Sequence, residues 1–137
     1  MQITISTQQG NVPVTVVQPH GDVDASNYAE LVSKVEVTQK EGSQDFLIDL
    51  SEVPYMSSAG LVALHSISIM LRGEKPADPQ SGWTALKSMD RSRERGMQKH
   101  VKLLNPQQFV ADTLDKAGFT QFFEIFTDLN KAVASFN

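Results

Sequence analysis

Apolar and polar residues alternate at the start of the chain, where Ile3 and Ile5 are separated by Thr4. Gly10-Asn11 is a turn signal, and the stretch Val12 to Val17 after it is rich in β-branched residues. Two antiparallel strands joined by that turn are the simplest reading. Pro13 cannot donate to a ladder and suits an edge strand or a strand start. Gly21-Asp22-Val23-Asp24 then interrupts the alternation. From Ser26 to about Gln39 the apolar spacing becomes helical, with Tyr28, Leu31, Val32 and Val35 at i, i+3, i+4 and i+7. Asp24 and Ser26 are placed to cap that helix, and Glu41-Gly42-Ser43 ends it.

Phe46 to Leu50 is a short apolar run between polar residues, the pattern of a buried central strand. A loop follows to Ser57, then a second helix from about Ser58 to Leu71. Its apolar arc takes in Leu61, Val62, Leu64, Ile67, Ile69 and Leu71, broad enough to predict burial over most of the surface. Val101 to Leu104 reads as a fourth strand. Asn105-Pro106 reads as a helix start, with Asn as N-cap and Pro at the first helical position. That helix runs through Phe109, Val110 and Leu114 to Gly118, which suits a left-handed C-terminal position. Phe122 to Phe126 is a last strand candidate, and Thr127 or Asp128 caps a helix carrying Leu129, Ala132, Val133 and Phe136.

The order β-β-α-β-α-β-α-β-α predicts an α/β fold: a mixed sheet with an opening hairpin, parallel strands and about four helices. One domain over residues 1–137 is expected at this length. The stretch 73–99 is too long for an ordinary connection and reads as an insertion before the fourth strand. Within it, Trp83 to about Arg95 has helical character. Trp83, Leu86 and Met89 make an apolar stripe, read first as core packing. Arg91, Arg93, Arg95 and Lys99 form a basic run, either a solvated face or a docking patch.

Composition narrows the chemistry. The chain has no cysteine, so disulfides, thiolate nucleophiles and cysteine-bound metals are out. His20, His65 and His100 lack metal-ligand spacing, so neither metal nor cofactor is assigned. A net charge of −4 argues against a nucleic-acid partner. No apolar run is long enough to span a bilayer, and the first residues lack the pattern of a secretory signal, so a cytoplasmic protein is expected.

Asp49-Leu50-Ser51-Glu52-Val53-Pro54-Tyr55-Met56-Ser57-Ser58-Ala59-Gly60-Leu61 resembles the STAS family of anti-sigma-factor antagonists, and Gly21-Asp22-Val23-Asp24 resembles that family's element before the first helix. The order of elements is similar over nearly the whole chain, the insertion excepted. The resemblance implies a non-enzymatic switch protein whose phosphoacceptor falls on Ser58, with Ser57 as the alternative. It implies a partner that is both serine kinase and anti-sigma factor, of histidine-kinase-like ATPase fold, and a metal-dependent serine phosphatase that reverses the modification. Asp24, Ser57, Ser58, Gly60 and Leu61 are the implied partner-binding residues. Ser57 stands where the family carries Asp, and Ala59 where it carries Ser or Thr. An alternative within the same resemblance is a STAS subunit of a membrane transport or sensory complex that is not phosphorylated.

The residues suit this chemistry on their own terms. A serine at the start of a helix lies among unpaired N–H groups and a partial positive charge, where an anion is tolerated. The plainer readings are that Ser57 and Ser58 are N-caps, that Gly60 permits tight helix packing, and that Asp24 is only a cap. Catalysis by Ser58 is disfavoured. A serine nucleophile needs an adjacent base, the Gly-x-Ser-x-Gly elbow is missing, and His65 is about two helical turns away.

Overall fold

The structure, a computed structural model, describes residues 1–73 and 97–137. The helix at Trp83–Arg95, the stripe at Trp83, Leu86 and Met89, and all of the basic run except Lys99 lie outside those residues.

Strands β1 (Gln2–Gln9) and β2 (Pro13–His20) form the expected hairpin, pairing antiparallel without interruption from Gln2↔His20 to Gln9↔Pro13. Strands β3 (Phe46–Asp49), β4 (Val101–Leu104) and β5 (Ile125–Phe126) extend it in parallel, giving one five-stranded sheet in chain order. Pro13 occupies the first position of its strand, where the missing N–H costs no ladder bond. β3 is central, and Phe46, Leu47 and Ile48 are fully buried.

Helices α1 (Tyr28–Lys40), α2 (Ser58–Leu71) and α3 (Gln108–Lys116) follow β2, β3 and β4. Successive crossovers of one hand place all three on the same sheet face. There Leu31, Val35, Leu64, Ile67, Val110 and Leu114 pack against Val17, Phe46, Ile48, Val101 and Leu103. The period-2 alternation sends Val14, Val16, Leu47 and Leu104 to the opposite face, where the short helix α4 (Leu129–Ala134) and the following Phe136 cover them. Lys102, on the same side, is 5% exposed. Its ammonium group donates to Ser135 O at 3.1 Å and Ser135 Oγ at 2.9 Å and pairs with Glu124 at 3.3 Å, fastening the chain end to the sheet.

Several boundaries differ from expectation. α1 begins at Tyr28, because Asp24 to Asn27 form a turn first; the Tyr28 amide bonds to Asp24 O at 2.9 Å. Asn105 is not a cap: it lies in left-handed space at φ 50°, and α3 starts at Gln108 after Gln107. Only Ile125–Phe126 of the last apolar run is strand. Phe122 and Phe123 instead turn into the core with Phe119, their ring centroids 4.9 to 5.6 Å apart, because three consecutive aromatics here fill volume under the helices. Gly118 adopts the left-handed conformation at φ 78°, and Asp128 caps α4 by accepting from Lys131 N at 3.1 Å.

Candidate functional site

β2 and β3 are parallel neighbours, so the loops leaving their carboxyl ends emerge side by side. They are stitched together. Gly21 N donates to Glu52 O at 2.9 Å, Val23 N to Tyr55 O at 3.0 Å, and Ser57 N to Val23 O at 2.9 Å. Val23 and Met56 form a parallel bridge and are both buried. The sequence-predicted residues Asp24 and Ser57 thus follow the two bridged positions and are brought together, as adjacent parallel strands require.

α2 starts immediately after this bridge. Ser57 occupies the N-cap position in extended backbone, yet its hydroxyl makes no capping bond. That oxygen is buried, without a hydrogen-bond partner. Ser58 is the first helical residue and is exposed. Leu61 N is the first amide to enter the ladder, donating to Ser57 O at 3.2 Å, so the amides of Ser58, Ala59 and Gly60 precede it. An uncapped start to a fourteen-residue helix concentrates unpaired donors and the positive end of the dipole around Ser58.

Gly60 is buried beneath this surface rather than on it. A Cβ there would collide with Met56 Cγ and meet Val23 O at 3.0 Å and Val23 Cγ1 at 3.2 Å. The absent side chain lets the first turn of α2 rest on the bridge, which is the packing reading of that glycine. Leu61 is half-buried and packs against the core. Asp24 does not cap α1 directly. Its Oδ1 accepts from the hydroxyl and, at 2.9 Å, from the amide of Ser26, and these bonds hold the carboxyl below the ordinary carboxylate range.

One feature of the surface escaped the sequence reading. Tyr55 and Phe109, 42% and 54% exposed, stack on one another with ring centroids 5.4 Å apart, joining the loop before Ser58 to the first turn of α3. Phe109 was assigned to the core face of its helix together with Val110. Its one-residue offset from the Val110–Leu114 line is the signal that places it outside. Farther along α2, His65 is 2% exposed, and burial, helped by the positive charge of Arg72, lowers its pKa to about 4.

Comparison with known proteins agrees with this architecture. The STAS domain model matches residues 3–75, more than half of the chain. Among solved structures, the fold is similar to a candidate anti-sigma factor antagonist from Thermotoga maritima at TM-score 0.65 and 16% identity, over 95% of this chain and 90% of that one. It is also similar to an anti-sigma factor antagonist from Mycobacterium paratuberculosis at TM-score 0.64 and 16% identity, over 98% and 93%. The phosphorylated form of the Bacillus cell fate determinant SpoIIAA matches at TM-score 0.53 and 11% identity, over 96% of each chain. These likenesses concern the fold. No curated protein sequence matches the chain. The family match over both loops and α2, on a sheet of the same architecture as these antagonists, shows that the chain belongs to the STAS domain family.

Proposed function

We propose that this protein is a regulatory switch, an anti-sigma-factor antagonist that binds a serine kinase/anti-sigma factor of histidine-kinase-like ATPase fold while Ser58 is unmodified and releases it once Ser58 is phosphorylated. The observation that carries the reading is the contrast between two adjacent hydroxyls at the start of α2. Ser58 is exposed, whereas the Ser57 oxygen is buried and out of a kinase's reach. This favours Ser58 over Ser57 as the acceptor.

In the modification, Ser58 Oγ forms a bond to the γ-phosphorus of ATP, the bond to the bridging oxygen breaks, ADP departs and the hydroxyl proton passes to a base of the kinase. The product adds about −1.5 to −2 charges. The fold accommodates them at a helix N-terminus with free donors. A partner face fitted to a neutral hydroxyl, the Tyr55–Phe109 pair and Leu61 would instead have to bury an unpaired dianion beside the Asp24 carboxylate. A loss of roughly 3 kcal/mol lowers affinity about a hundredfold, sufficient for a switch. A metal-dependent serine phosphatase resets the protein. The chain acts by binding and not by catalysis.

Incubating the protein with ATP and the serine kinase of its own cell, then mapping the modified residue by mass spectrometry, tests the assignment. A single phosphate on Ser58 supports it. An unmodified protein that captures a transport ATPase would point to the transport-subunit alternative.

A further inference from the structure

We infer that β1 is a self-association edge along which two copies of this chain pair antiparallel, joining their sheets across a two-fold axis. An open sheet has two edges, and this one protects them unequally. β5 is two residues long, too short to template another strand. β1 is eight residues long and keeps an unbroken register with β2, with no bulge to twist its outer edge away. Its sequence, Gln2-Ile3-Thr4-Ile5-Ser6-Thr7-Gln8-Gln9, contains no charged residue and no proline, the devices by which edges ordinarily repel a second strand.

What lies beside the edge favours a second copy as the occupant. On the helix side, β1 and α1 border an open groove of about 520 Å³, whose lining includes Ile3, Glu30, Lys34 and Val37. Val37 is 52% exposed although it is a large aliphatic residue. A two-fold interface must be self-complementary. An uncharged strand meets its own copy without like charges opposed, and an antiparallel pair satisfies the outward N–H and C=O groups of both strands. The groove carries Glu30 and Lys34 one helical turn apart, so the two-fold sets opposite charges of the two α1 helices against one another while each Val37 is covered. This edge belongs to a different strand from the loops around Ser58, so the inference stands apart from the switch reading.

Sedimentation equilibrium of the full chain over a wide concentration range tests it, together with hydrogen exchange at the two ends of that range. The expected mass rises from 15.1 kDa toward twice that value, and amides within Gln2–Gln9 gain protection with concentration. Ser6→Lys and Val37→Lys, at exposed positions, are expected to shift the equilibrium at least tenfold toward monomer with unchanged far-UV circular dichroism. A wild-type protein that stays at the monomer mass at every concentration overturns the inference. So does a dimer that persists in both variants, or one whose protection maps elsewhere than β1. Larger open assemblies in place of a closed dimer count against it as well.

Discussion

The amide of Ser57 donates to the carbonyl of Val23 at 2.9 Å, so the residue before the candidate phosphoacceptor is held by the loop that presents Asp24. Two sequence segments more than thirty residues apart become one surface through this bond and the neighbouring Val23–Tyr55 bond of 3.0 Å. The position of the Ser58 hydroxyl is therefore a property of the β2–β3 pairing, transmitted through backbone, and does not depend on a side-chain cap.

Gly60→Ala tests that mechanical link. Alanine gains helix propensity, about 1 kcal/mol over glycine. Here its methyl group would drive into Met56 and the Val23 carbonyl. Overpacking of this kind costs roughly 1–3 kcal/mol. Net destabilisation is expected in urea unfolding, with a loss of partner binding larger than stability alone explains. A variant more stable than wild type would show that α2 does not bear on the bridge.

Tyr55→Ala and Phe109→Ala address the exposed aromatic pair. Each ring is largely in solvent in the free protein, so folding stability should change by about 0.5 kcal/mol or less. In a complex the pair is an aromatic anchor, and each truncation is expected to weaken partner binding by about 2 kcal/mol, some thirtyfold, by calorimetry. Unchanged affinity in both variants would remove the pair from the interface.

His65 makes stability pH-dependent. Its pKa in the folded chain is lowered to about 4, below the ordinary 6.5, so the folded state disfavours the proton that the unfolded state takes up. The stabilisation is fully present above pH 6.5 and is lost as pH falls toward 4, amounting to about 3 kcal/mol across that window. His65→Gln removes this titration, and the stability difference between pH 7 and pH 4.5 should shrink accordingly. Asp24, whose carboxyl is held low by Ser26, adds a loss in the same direction at still lower pH.

Much of the architecture was legible because period and turn chemistry agree along the chain. The alternation around Ile3 and Ile5, the helical spacing from Tyr28 to Val35 and the left-handed Gly118 each imply their element locally. The errors fall where tertiary context outweighs local pattern. Asn105-Pro106 has the composition of a helix start, but the Asn105 amide is tied to Phe126 O at 2.8 Å, which holds the chain in the sheet until α3 begins at Gln108. Phe122 and Phe123 have strand propensity and are spent on core volume instead. At the site, the positions of Asp24 and Ser58 followed from two parallel strands. The buried orientation of the Ser57 hydroxyl and the Tyr55–Phe109 contact depend on distant elements meeting, which no local pattern encodes.

The most direct test of the switch is the affinity of the partner kinase for the protein before and after stoichiometric phosphorylation, with Ser58→Asp measured alongside. Weakening of about a hundredfold on phosphorylation is expected. A clear loss in Ser58→Asp should accompany it, with the far-UV spectrum unchanged in both. A phosphorylated protein that binds as tightly as the unmodified one would contradict the account.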